Sequence, residues 1–383
     1  MRAKTIMIQG TGSGVGKSVL TAALCRIFYQ DGYKAAPFKA QNMALNSFVT
    51  LDGGEIGRAQ AMQAQACCIE PMVDMNPILL KPSSDKKAQV IVRGKPLNDM
   101  SAKDYDNYKQ HLKSIVLDSF NRLSKEYEII VIEGAGSPAE INLKERDIVN
   151  MFIAKETKSP VILVGDIDKG GVFAWLWGTL GLLSSEEKKR VKALLINKFR
   201  GDIDILKPGL DFLEQKSKRK ILGVIPYFRN IQLDEEDSLY FDKFKYRGTG
   251  VKVRILYLPH ISNFTDFDAL GREQSIDLKY IDTNKGELID EDTDVLIIPG
   301  SKSVIEDFIY LKQAGYTKNI KELAKKKVNI IGICGGYQML GKEIYDPCGS
   351  ESSRKKNKSF GFAGYKHYLW FKQSYKAGKS KPY

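Results

Sequence analysis

Short apolar runs recur along the first 230 residues: TIMIQG at 5–10, EIIVIEG at 128–134, PVILVGDI at 160–167, VKALLINK at 191–198 and KILGVIP at 220–226. Each is a short apolar run, and most are followed by glycine and then a helix-compatible stretch. That is the rhythm of βα units around a parallel sheet buried on both faces. A second series follows in VKVRILYLP at 251–259, DVLIIPGS at 294–301 and VNIIGICGG at 328–336. It predicts a second α/β unit. Between them, QLDEEDSLYFDKFKYRGTG is charged and lacks a sustained apolar period, as a linker does. The expected organisation is therefore a first α/β domain over 1–230, a linker over 231–250 and a second domain over 251–348.

At 383 residues the chain is long enough for two cores, and its 43% hydrophobic and 27% charged composition is that of globular α/β proteins. The formal charge of +13 raises nucleic-acid or membrane binding. Its placement argues against both, because residues 350–383 carry nine Lys/Arg against one acidic residue, Glu351. This stretch, 349–383, is basic and aromatic without clear periodicity and does not read as part of the second domain. A tail of that kind also fits an RNA or membrane module, but it has no amphipathic period. No leader or membrane-spanning run is apparent, which makes a cytoplasmic location the expectation. Five cysteines without zinc-type pairing read as reduced thiols.

The first strand runs into Gly10-Thr11-Gly12-Ser13-Gly14-Val15-Gly16-Lys17-Ser18, followed by a helical stretch. Glycines let successive main-chain N–H groups turn toward a phosphate, Lys17 reaches terminal phosphates and Ser18 holds Mg²⁺. These residues form an expected ATP site. Thr11 stands where the usual loop has its first glycine, a variant resembling the dethiobiotin synthetase branch of phosphate-loop enzymes. Glu133, at the end of another buried strand, is the second candidate Mg²⁺ ligand. Asp166 and Asp168 in GDIDKGG, and Asn197 in INKFRGD, follow further strands where a parallel sheet gathers ligands; Asn197 is a candidate for a base edge. The same residue types also serve ordinary turns.

Gly332-Ile333-Cys334-Gly335-Gly336 places a cysteine between small residues on a strand-to-helix turn, the setting of an exposed nucleophile with main-chain oxyanion donors. Such a thiol needs a base, and the chain has His111, His260 and His367. His111 reads as a helix-surface residue, His260 precedes the cysteine, and His367 falls in the basic tail.

Ten blocks in order, GTGSGVGKS, PFKAQNMALNS, GEIGRAQAMQAQA, NPILLKP, EGAGSPAEINL, DIDKGGVFA, NKFRGD, LPHISNFTDFDAL, PGSKSV and GICGGYQMLG, resemble the signature blocks of the cobyric acid synthase family over residues 1–348. The resemblance implies a phosphate-loop NTPase-like parallel sheet with helices on both faces, followed by a triad-type glutamine amidotransferase-like α/β domain. It implies ATP-dependent conversion of four side-chain carboxylates (b, d, e and g) of adenosylcobyrinic acid a,c-diamide to amides through acyl phosphates. Glutamine or ammonia supplies the nitrogen, and ATP and Mg²⁺ are required. Cys334 is then the glutaminase nucleophile, with Gly300, Ser301 and Gly335 as the oxyanion hole. Gln41, Asn42, Asn46, Glu55, Arg58 and Gln60, with Asp166 and Asp168, are candidates to line the substrate cleft, although the polarity of the first six equally suits a solvated helix face. The family's catalytic histidine lies farther downstream on a longer segment, so the glutaminase half is expected to be shortened and impaired after Cys348, with an exposed strand edge near Cys334. The alternative, a nucleotide switch of the partition-ATPase type, calls for a second lysine at the start of the loop. Lys17 is the only lysine between Thr5 and Ser18.

Overall fold

The structure, a computed structural model, describes residues 3–44, 46–84, 87–228, 250–347 and 356–368. The chain divides into two compact units, with the principal division between Asp234 and Glu235. The linker expected over 231–250 lies almost entirely outside the described residues.

The first unit is built on six parallel strands in the order Lys220–Pro226, Val191–Phe199, Val161–Asp166, Lys4–Gly10, Ile129–Glu133, Ala35–Phe38. All five apolar runs of this half are strands. Ala35–Phe38 was not anticipated, because AAPF has no β-branched residue to mark it; it is nevertheless buried throughout. Strand order reverses at Lys4–Gly10, which lies between a strand that follows it at 129 and one that follows it at 161. That reversal opens a crevice at the carboxyl ends of the strands, where ligands bind in open α/β sheets. The core joins Met7, Phe38, Ile130, Ile132 and Leu163 of the strands to Leu112, Val116, Phe120 and Leu123 of the helix Ala102–Glu126. Those helical positions recur every three or four residues and so share one face. His111 is on the opposite, exposed face, as expected.

The second unit has four parallel strands in the order Ile276–Asp282, Val251–Tyr257, Val295–Ile298, Asn329–Gly332. Ile276–Asp282 alternates apolar and polar residues and was missed for that reason. Among the described residues Asn329–Gly332 pairs on one side only, and Ile331 is 45% exposed. Among the described residues, then, the strand edge near Cys334 is open.

The basic tail departs from expectation. Lys356–Lys358 and Lys366–Tyr368 pair with Glu343–Tyr345 in a small sheet. Glu343 draws in Lys356 at 2.9 Å and Lys366 at 3.2 Å, and Phe360 is buried in the core of this unit, edge-on to Phe308 at 5.0 Å. Three-residue strands made of Lys, Asn, His and Tyr give no apolar period to read. Residues 369–383 lie outside the described residues, as does Cys348, while Cys25, Cys67, Cys68 and Cys334 are free thiols. No helix among the described residues is long and apolar enough to cross a membrane.

Phe360→Ala is expected to destabilise the second unit by about 3 to 5 kcal/mol, the usual loss for a buried phenylalanine. Urea unfolding followed by near-UV circular dichroism measures it; an unchanged midpoint would place Phe360 outside the core.

Candidate active site

The loop between Lys4–Gly10 and the helix Lys17–Gln30 is braced from three sides. Thr11 N–H donates to Val164 O at 2.9 Å, tying the loop to the neighbouring strand. Val15 is buried with Ile8 and Val164. Three carbonyls of the loop accept from side chains: Gly12 O from Lys17 Nζ at 2.7 Å, Gly14 O from Lys198 Nζ at 2.6 Å, and Val15 O from Asn197 Nδ2 at 2.9 Å. In a trans peptide the N–H of the next residue is antiparallel to the carbonyl. The N–H groups of Ser13, Val15 and Gly16 are therefore turned away from these donors. Gly16 has φ +97°, and a Cβ there would stand 2.2 Å from Asn197 Nδ2, so glycine is obligatory. Ser13 belongs to the same turn, and the helix N-terminus adds its positive end.

Glu133 is the centre of the site. It is buried, and Oε1 accepts from Ser18 Oγ at 2.8 Å and Lys39 Nζ at 2.8 Å, while Oε2 accepts from Gln63 Nε2 at 2.5 Å and Gln60 Nε2 at 3.4 Å. Burial pushes its pKa up, but the Lys39 ammonium and the hydrogen bonds from Lys39, Gln63 and Ser18 outweigh it and hold the carboxyl below the usual carboxylate range. The folded value is depressed, so its contribution to stability is complete above the ordinary range and is lost as pH falls through the lowered value. Lys17 Nζ also donates to Gly136 O at 3.1 Å. That carbonyl sits in the turn after Glu133, which Asn150 braces through Ala135 N–H at 3.1 Å and Ala135 O at 2.7 Å.

The arrangement fits Mg²⁺, which binds through one or two protein oxygens plus phosphate and water rather than a protein cage. Ser18 Oγ and an ionised Glu133 are already adjacent. Among the described residues no group of three or more His, Cys, Asp or Glu is gathered elsewhere for a metal.

The other expected site residues divide. Asn42 Nδ2 donates to Gln60 Oε1 at 3.0 Å, so both connect to Glu133. Gln41 Oε1 accepts from Tyr105 Oη at 2.7 Å. Buried Glu55 is ion-paired with Lys81, whose Nζ also donates to Ser47 Oγ at 3.0 Å. Asn46 is buried, and its carbonyl accepts from Arg58 N–H at 3.4 Å. Asp166 is fully buried and serves the loop itself: it holds Lys198 at 2.8 Å and accepts Asp168 N–H at 2.9 Å. Asp168 is half-exposed and paired with Arg200 at 3.1 Å. The Asn197 amide, expected at a base edge, has its donor committed to the loop backbone. Sequence reasoning missed Lys39, Gln63, Lys198 and Asn150.

In the second unit Cys334 has φ +49° and ψ −110° and precedes the helix Gly335–Leu340. A left-handed residue other than glycine on a strand-to-helix turn is strained and presents its side chain outward; Cys334 is exposed. Close packing fixes its neighbours, since a Cβ on Gly336 would meet Ile298 O at 1.9 Å. A Cβ on Gly335 would stand 2.8 Å from Ser301 N, and one on Gly300 would stand 3.8 Å from Cys334 Cβ. Gly300, Ser301 and Gly335 are thus gathered beside the thiol. His367 packs edge-on to Tyr337 at 5.3 Å and to Tyr365 at 4.6 Å, and burial pushes its imidazole pKa down. His260 Nδ1 is 2.7 Å from Asp307 Oδ1.

Residues 6–239 match the CobQ/CobB/MinD/ParA nucleotide binding domain, and residues 252–372 match the CobB/CobQ-like glutamine amidotransferase domain. Together they define a nucleotide-dependent amidotransferase, and the second match extends past the limit of 348 expected from sequence. The chain is 53% identical over 361 residues to the cobyric acid synthase of Dehalococcoides mccartyi (strain CBDB1), covering 94% of this chain and 71% of that protein. It is 55% identical over 354 residues to the cobyric acid synthase of Desulforamulus reducens, covering 92% and 69%. Among solved structures, the signal recognition particle receptor FtsY from Elizabethkingia anophelis with GDP aligns at 15% identity and a TM-score of 0.37, over 61% of each chain, too distant to carry an argument. The chain belongs to the cobyric acid synthase family, whose members are ATP-dependent amide-forming ligases.

Lys39→Met is expected to lower kcat for ATP-dependent turnover by about 10- to 100-fold, as loss of the partner that orients and charges a metal-binding carboxylate does. It should also move the acid limb of the pH–rate profile upward, because burial of Glu133 is then unopposed by a cation. A pH–rate series on the variant checks both; an unshifted limb would separate Glu133 from the titrating group.

Proposed function

We propose that this chain amidates carboxylates b, d, e and g of adenosylcobyrinic acid a,c-diamide, giving adenosylcobyric acid, with ATP phosphorylating each acid and ammonia displacing the phosphate. The observation that carries the reading is the ionised, buried Glu133 hydrogen-bonded to Ser18 beside a braced phosphate loop. A carboxylate is a poor acyl donor, and phosphorylation gives it a leaving group. Ser13, Val15 and Gly16 N–H would receive phosphate oxygens, and Lys17 would exchange its carbonyl partners for the terminal phosphate. Ser18 and Glu133 would hold Mg²⁺, which neutralises charge on the phosphates when bound. Lys39 would keep Glu133 ionised in the interval before the metal arrives. Asn42, Gln60 and the Glu55–Lys81 pair belong to the same unit, and their polarity supports a role in placing the corrinoid acid.

Ammonia would come from glutamine hydrolysed at Cys334, or from free ammonium. Among the described residues His260 gives Nδ1 to Asp307 and His367 is enclosed by tyrosines with a lowered pKa, so activation of the thiol is expected to be weak. Ammonium should therefore drive faster amide formation than glutamine at saturation. The likeness to the cobyric acid synthases supports a role in cobalamin biosynthesis, in the cytoplasm.

The test is release of ADP and of amidated corrinoid by the purified chain given Mg·ATP and the diamide, with glutamine or ammonium. Lys17→Ala should abolish both reactions. Cys334→Ser should remove the glutamine-driven reaction and leave the ammonium-driven one within about twofold, because free ammonium needs no thiol nucleophile. Turnover retained by Lys17→Ala would refute the assignment of the loop.

A further inference from the structure

The strand pair beside Cys334, Ile261–Ser262 with Gly300–Ser301, is antiparallel and only two residues long. A ladder that short does not hold itself. It is clamped by Asp307, a fully buried carboxylate on the first turn of the helix Val304–Gln313. Oδ2 accepts from Ser301 Oγ at 2.7 Å and from His260 N–H at 3.3 Å, and Oδ1 faces His260 Nδ1 at 2.7 Å. A carboxylate oxygen is the acceptor here, which makes Nδ1 the protonated nitrogen of the ring. Ser303 N–H returns to Ser301 Oγ at 3.0 Å, and Lys302 N–H donates to His260 O at 2.9 Å. Residue 301 is thus fixed through its hydroxyl, while its main-chain nitrogen lies 2.8 Å from the place of a Cβ on Gly335, the residue after the nucleophile.

We propose that His260 and Asp307 are positioning residues of the thiol site: through the Ser301 hydroxyl they set the Ser301 main-chain N–H against Cys334 as an oxyanion donor. This role rests on the reading of Cys334 as an acyl-accepting nucleophile. In the step served, Sγ of the thiolate bonds to the γ-carbonyl carbon and the carbonyl π pair moves to oxygen, where Ser301 N–H receives it. Collapse of that oxyanion expels the leaving group with its electron pair and leaves a thioester. Alkylation by iodoacetamide uses the same thiolate but displaces iodide at a saturated carbon and develops no oxyanion. The two reactions separate positioning of the donor from exposure or ionisation of the thiol.

The experiment follows the full chain with two reagents. One is the γ-(4-nitrophenyl) ester of N-acetylglutamate, whose leaving group needs no proton, read as nitrophenolate in a single turnover. The other is iodoacetamide, read by peptide mass at Cys334. His260→Ala and Asp307→Asn are expected to slow ester acylation by about 100-fold, the scale of a misplaced catalytic group. Alkylation should stay within about twofold, the change expected of a step that uses no such donor. His260→Asn, whose amide N–H replaces Nδ1–H, should recover most of the ester rate. Unchanged ester rates in both variants would overturn the role, as would parallel loss of both reactions, which marks a merely structural contact. A wild-type chain that takes the ester no faster than Cys334→Ser would overturn the nucleophile reading first, and this role with it.

Discussion

A carboxylate removed from water must find compensation, and in this protein the compensation organises the nucleotide site. Burial alone would neutralise Glu133, yet Lys39, Ser18 and Gln63 converge on it and keep its charge. Each of the three comes from a different part of the chain: the helix after the phosphate loop, the end of Ala35–Phe38 and the helix Arg58–Ala66. The Glu133 carboxylate, through one ion pair and two hydrogen bonds, therefore fastens these three elements to the end of a fourth. Removing either partner leaves a buried charge uncompensated, which is far more costly than the pair is stabilising.

The second unit solves a comparable problem with a different acid. Asp307 joins a ring nitrogen, a hydroxyl and a main-chain N–H around a strand pair too short to persist alone. Both units thus use a buried acid as a fastener; on the proposed roles, the first would face the chemistry directly and the second would act through a neighbour.

What could be read in advance follows from these roles. The strands that lie between others announced themselves as unbroken apolar runs, and glycine spacing marked both the phosphate loop and the cysteine turn, because close backbone approach admits no other residue there. Lys39 and Lys198 were invisible because a lysine in a sequence reads as surface unless its carboxylate partner is known, and those partners, Glu133 and Asp166, lie 94 and 32 residues away. Asn197 was noticed for its position after a strand, but its actual contact, a loop carbonyl 182 residues away, has no local signature. Asp307 was hidden within a helix whose other buried positions are apolar. The tail failed for the opposite reason: its strands are charged and three residues long, and ion pairs to Glu343 and the ring of Phe360 tie them down.

The bracing of the phosphate loop has a further consequence. Lys198 and Asn197 reach it from the strand Val191–Phe199, and Val164 anchors it from Val161–Asp166, so its curvature belongs to the sheet and not to whatever occupies it. A cradle shaped in advance pays little conformational entropy at each capture and need not rearrange when spent nucleotide departs. On the proposed reading, in which one phosphorylation is repeated on several acids of a single large molecule, such a loop would be a fixed tool: the work would be brought to it in successive orientations, and the tool itself would stay set.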